Sequence, residues 1–130
     1  MAFDLAEAQL QLTEQALACR LPSDYREAMK QANGGEAETA EDEWELYPIK
    51  DTTDKKRLSR SCHHILHETA VCQRYGNFPT DALAIAHNGF GDQMVLLKAH
   101  GQYQDTVYLW RHETGELQQL AERFSEIDRL

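Results

Sequence analysis

The chain has 130 residues, the size of one domain, and its 42% hydrophobic content with few Gly and Pro excludes a disordered tract. It carries 22 acidic against 13 basic residues, a net charge of −9. That balance argues against nucleic acid and anionic membrane as partners and favours basic proteins.

Met1-Ala2-Phe3-Asp4 shows no basic or apolar leader, and the longest apolar run, Met94 to Leu97, is far too short for a bilayer. A cytoplasmic location is expected. Cys19, Cys62 and Cys72 are odd in number and lack a Cys-x-x-Cys pair, so free thiols are expected. Asp4 and Glu7 read as a capping pair for a first helix, whose stripe is Leu5, Ala8, Leu12, Ala16 and Cys19. Pro22 opens a second helix over about Ser23 to Ala32, with Tyr25, Ala28, Met29 and Ala32 on one side. Asn33-Gly34-Gly35 stops it.

The most acidic stretch follows, in which Glu36, Glu38, Glu41, Asp42, Glu43 and Glu45 surround Trp44. Trp44 to Ile49 reads as a short strand, and Pro48 places it at a sheet edge. Asp51 to Arg60 is a polar loop or irregular helical turn. Leu58, Cys62, Ile65, Thr69 and Cys72 recur at helical spacing, and Gly76-Asn77 ends that helix. The spacing predicts Cys62 and Cys72 at least partly buried.

A three-stranded antiparallel meander spans Ala82 to His112, and the rest of the chain is arranged around it. Leu83–His87 turns through Asn88-Gly89-Phe90-Gly91-Asp92 into Gln93–Lys98, and Thr106–Trp110 gives the third strand. Leu83 and Ile85 are expected buried, and Ala84 and Ala86 give a face that lets a helix approach. A last helix is predicted from about Glu116 to Arg129, with Leu117, Leu120, Ala121, Phe124 and Ile127 on one face. One α+β domain over residues 1–130 is the reading.

Three blocks in this order carry a resemblance. They are Leu21-Pro22-Ser23-Asp24-Tyr25 leading to Asn33-Gly34-Gly35, then Trp44-Glu45-Leu46-Tyr47-Pro48-Ile49, then Ile85 to Asp92 continued by Val107 to Glu113. Together they resemble the SUKH superfamily, which includes the yeast regulator of cell-wall synthesis and many bacterial toxin-immunity proteins. The resemblance implies a mainly antiparallel sheet of about four to six strands with helices packed against it. It also implies a binding module with no catalytic residues of its own; separately, no cofactor or metal is expected. Arg111, where the family often has an acidic residue, and Phe90, where glycine or asparagine is frequent, depart from the pattern at positions expected on the surface.

The residues also carry fragments of other chemistries. His63 and His67 stand one helical turn apart, a spacing that zinc sites use, but the third ligand would have to be Cys72 or a distant carboxylate. The arrangement is not His-Glu-x-x-His, so a general-base carboxylate is misplaced. Ser59, Ser61 and Ser125 lack a nucleophile-elbow context. Asn88-Gly89-Phe90-Gly91 is half a dinucleotide fingerprint leading into a strand, and Lys55-Lys56-Arg57 is too small for a nucleic-acid patch.

The expected function is a non-catalytic immunity-type protein that neutralises a cognate basic toxin domain such as a nuclease. The expected partner-binding residues are Glu36, Glu38, Glu41, Asp42, Glu43 and Trp44, with carboxylates for steering and Trp44 as anchor; the alternative is a solvated acidic loop leading into an edge strand whose Trp44 packs in the core. The alternatives are a regulatory scaffold that binds other proteins and a small metal-dependent hydrolase built on His63 and His67.

Overall fold

Backbone pairing, rather than helix packing, organises this chain. The computed structural model describes residues 2–130. At its centre are β3 (Ala82–His87), β4 (Gln93–Ala99) and β5 (Gln102–Trp110), the expected antiparallel meander. Leu83 and Ile85 are buried, as predicted, and so are Ala84 and Ala86, so both faces of β3 are covered. A register shift between Ala84 and Ala86 makes Ile85 a bulge. A hairpin of β1 (Gly35–Glu38) and β2 (Glu43–Leu46) joins the meander through β2 and β3. Two further strands, β6 (Leu117–Ala121) and β7 (Asp128–Arg129), extend the sheet to seven strands in the order β6-β5-β4-β3-β2-β1-β7, with antiparallel neighbours throughout.

The two outermost strands are consecutive in sequence, and this forces the sheet to curl. Six inter-strand gaps of about 4.8 Å would separate them by roughly 29 Å in a flat sheet. The chain from Ala121 to Asp128 reaches at most about 25 Å when extended, and part of it is a 3-10 turn, Phe124–Glu126. The curl brings Phe124 into the core, edge-on to Tyr25 with ring centroids 5.2 Å apart.

Among the described residues four helices accompany the sheet: α1 (Glu7–Leu17), α2 (Ser23–Gln31), α3 (Lys55–Arg60) and α4 (Ile65–Cys72). Tyr25 and Met29 are the buried residues of α2, as its spacing predicts. Helix α4 lies against β3, where the Thr69 hydroxyl accepts the Ala84 N–H at 2.9 Å. Among the described residues no helix is long and apolar enough to cross a membrane.

Several local expectations are corrected. Residues 116–129 form β6, the 3-10 turn and β7 instead of a helix. The outer edge of β5 is a nine-residue ladder of backbone donors and acceptors, and β6 satisfies four positions of it. A helix there would leave that edge open. The stripe of α1 is also rotated from the expected one. Leu10 and Thr13 are its buried residues, whereas Leu12 is 51% exposed. Asp4 caps nothing in α1, whose N-cap is Ala6; its carboxylate pairs with Arg57 at 2.9 Å.

Strand β2 is interior, not an edge. Pro48 is compatible with that because the strand ends at Leu46, and the Pro48 carbonyl accepts the N–H of Ile65 at 2.9 Å. The helix expected across 58–72 is broken between α3 and α4, and Cys62, in the break, is exposed. Cys72 is buried as expected.

Candidate protein-binding face

The acidic segment is a β-hairpin, and its register decides where the charges go. Ala37 pairs with Trp44 and both side chains are buried, so the flanking residues of each strand point to the opposite face. That face carries Glu36 directly opposite Glu45 and Glu38 directly opposite Glu43. Asp128 of β7 lies opposite Glu38 on its other side. All five of these carboxylates are exposed. Among the described residues no Lys or Arg lies within 4.0 Å of any of these carboxylates as an ion pair; His87 Nε2 is 3.5 Å from Glu45. A shallow depression of about 220 Å³ opens among Glu36, Glu43, Glu45, His87, Asn88 and Leu130.

Beside this face, three turns meet at one end of the sheet and are tied by a polar spine. Asn88 Nδ2 donates to Asp42 at 3.3 Å and to Asp92 at 3.2 Å. Asp92 accepts the backbone N–H of His112 at 3.1 Å, and His112 Nδ1 lies 2.8 Å from the same oxygen. Burial raises the pKa of the Asp92 carboxyl, but the hydrogen bonds from His112 and Asn88 outweigh it and hold the group below its usual value. Asn88 Oδ1 also accepts the N–H of Phe90 at 2.9 Å. Phe90, at the tip between two glycines with positive φ, is 78% exposed.

The model of the SMI1 / KNR4 family (SUKH-1) matches residues 4–127. The chain belongs to this family. No curated protein matches the chain.

In this SUKH-1 chain the six residues singled out from sequence divide by geometry. Glu36, Glu38 and Glu43 share the exposed face, while Glu41 and Asp42 sit in the hairpin turn. Trp44 is on the other side, 2% exposed, with its indole N–H donating to Thr39 Oγ1 at 3.0 Å. Its ring therefore supports the hairpin from the core, and the carboxylates are the exposed groups of this segment. Glu45 and Asp128 complete the charged face and were not singled out. The alternation Glu36-x-Glu38 and Glu43-x-Glu45 around a four-residue turn was the available signal for Glu45. For Asp128 there was none, because only the β1–β7 pairing brings it there.

The other constellations have structural partners. Ser61 is buried, accepts the Asp51 N–H and donates to the Arg57 carbonyl; Ser125 donates to Asp24. Lys56 and Arg57 lie over the Phe3 ring at 5.7 and 4.8 Å, and Arg57 also pairs with Asp51 at 3.2 Å. The basic cluster thus pins the N-terminal arm onto α3. His63 and His67 do come close to each other, although His63 precedes α4. The carboxylate beside them is Glu68, whereas the Cys72 thiol is buried and pushed up to about 11.

Proposed function

We propose that this SUKH-1 chain is a non-catalytic, immunity-type protein that binds a basic toxin domain through the carboxylate face of β1, β2 and β7 and occludes its active site. The like-charge register supports the reading. Like charges directly opposite in adjacent strands are destabilising, by up to about 1 kcal/mol per pair. Glu36 with Glu45, Glu38 with Glu43 and Glu38 with Asp128 repeat that cost three times on one exposed surface. A folding advantage does not account for the pattern; complementarity to a cationic cleft does. Domains that cleave nucleic acid need such clefts to hold phosphate, and an acidic inhibitor gains steering from the match.

Phe90 fits the anchor role that Trp44 cannot fill. It projects from a turn already fixed by Asn88 and Asp92, so little ordering entropy opposes its insertion into a partner pocket. The place of action is the cytoplasm, where an inhibitor of this kind meets its toxin.

The test titrates the chain against the toxin-like C-terminal domain encoded in the neighbouring reading frame, in rising salt. Association should slow steeply as the Debye length falls below about 10 Å. Tight binding with a salt-independent on-rate would move the interface off this face, and failure to bind would remove the immunity reading.

A further inference from the structure

We propose that His63, His67 and Glu68 form a surface site for a divalent transition-metal ion of the zinc class. His63 Nδ1 and His67 Nε2 each lie 3.6 Å from the same oxygen, Glu68 Oε2. The three candidate ligand atoms all fall within 4.8 Å of one another. At 3.6 Å neither contact is a hydrogen bond. Two imidazoles and a carboxylate are therefore gathered around one point without bonding to each other there.

The spacing matches what an ion would need. Zinc bonds of about 2.0–2.1 Å to nitrogen and oxygen, set tetrahedrally, place neighbouring ligand atoms about 3.4 Å apart. The two 3.6 Å separations to Glu68 Oε2 are already close to that value. The backbone beneath two of the ligands is already held: His64 Nδ1 accepts the N–H of His67 at 3.2 Å, and the His64 carbonyl accepts the N–H of Glu68 at 3.0 Å. His63 and His67 are exposed and Glu68 is half-buried, so an ion reaches the site from solvent.

The ligand set also bounds the chemistry. Two neutral imidazoles and one carboxylate suit zinc, and copper or nickel compete in the usual order of affinity. Three protein ligands leave the remaining position to water. Glu68 serves as a ligand and is not free to act as a general base. It is built on the break before α4 and on α4 itself, elements that contribute nothing to the carboxylate face.

The experiment is calorimetric titration of the full chain with zinc chloride in a chelator-free buffer. One ion per chain is expected. His63→Ala, His67→Ala and Glu68→Gln should each weaken uptake about tenfold or more, the effect that even supporting residues of metal sites show. Cys62→Ser should leave uptake unchanged, which separates imidazole ligation from thiol capture. As a second reading, cobalt(II) should broaden the ring-proton signals of His63 and His67 in the unaltered chain. No zinc uptake, uptake that survives loss of both histidines, or uptake lost with Cys62 would each overturn the proposal.

Discussion

The indole N–H of Trp44 donates to the hydroxyl of Thr39 across the β1–β2 turn at 3.0 Å, so the largest apolar side chain of the acidic segment is a bolt beneath the hairpin. The carboxylates on the other face depend on that bolt for their position. Trp44→Ala should cost about 3–5 kcal/mol of folding free energy, as large core truncations do. Trp44→Phe keeps much of the burial but loses the hydrogen bond, for about 1 kcal/mol. Urea unfolding measures both. An alanine variant as stable as the parent would show that the ring contributes nothing to the core.

Neutralising the face should raise stability while slowing association. Glu36→Gln, Glu38→Gln and Glu43→Gln together remove the three like-charge cross-strand contacts, each worth about 0.2–1 kcal/mol. The melting temperature of the triple variant should therefore rise, and its on-rate toward a basic partner should fall. A lower melting temperature would mean that these carboxylates have stabilising partners.

Phe90 separates binding from folding most cleanly. It is exposed, so Phe90→Ser should change stability by no more than about 0.5 kcal/mol. Loss of an interface anchor should cost about 2 kcal/mol or more of affinity. Unchanged affinity for a basic partner would exclude Phe90 from the proposed interface. Gly91→Ala is a different matter: at φ +99° its Cβ would stand 2.9 Å from the His112 ring, so the turn itself should be destabilised.

Stability should fall in acid between about pH 4.5 and pH 2. The hydrogen bond from Arg26 holds the Glu7 carboxyl at about 2, from an ordinary value of 4.5. For Asp51 and Asp92 burial raises the pKa, yet hydrogen bonds from Thr53 and Arg57 and from His112 and Asn88 leave both groups below their usual values. A carboxyl depressed in the folded state contributes stability above its unfolded pKa, and that contribution vanishes as pH drops through the folded one. Melts recorded from neutral to acid should show this slope, flattened in Glu7→Gln and Asp92→Asn. An identical slope in both variants would place the acid sensitivity elsewhere.

The thiols should react in two classes. Cys62 is exposed, whereas Cys19 and Cys72 are buried and burial pushes Cys72 up to about 11. At pH 8 a thiol reagent should modify Cys62 quickly and the other two only on unfolding, because the thiolate is the reactive form. Three equally fast thiols would contradict this packing.

Local sequence was enough for the meander. Residues 83–110 alternate over short runs and reverse at Asn-Gly and Gly, and the strands they form pair with their chain neighbours, so no distant information is needed. Helix α2 was legible for the same reason: its cap, stripe and stop are contiguous. The blocks that carry the family resemblance lie in these locally determined regions and in the hairpin strand at Trp44.

The C-terminal segment was misread because its apolar residues recur at three and four, a spacing that suits a helix, in a stretch too short for periodicity to exclude a strand. What decided it was the open edge of β5, the neighbouring strand in the chain, on one side and the open edge of β1, contributed by a distant part of the chain, on the other. The α1 face was set the same way, by what packed against it.

Sequence by itself determined the α+β class, the meander, the family and the presence of concentrated negative charge. Tertiary structure alone decided that Asp128 joins Glu36, Glu38, Glu43 and Glu45, and that Trp44 and Ala37, not these carboxylates, face the core. The physical reason is register. Composition says how much charge a segment carries, but a shift of one residue in strand pairing sends every side chain to the opposite face, and only the packed core selects which pairing is made.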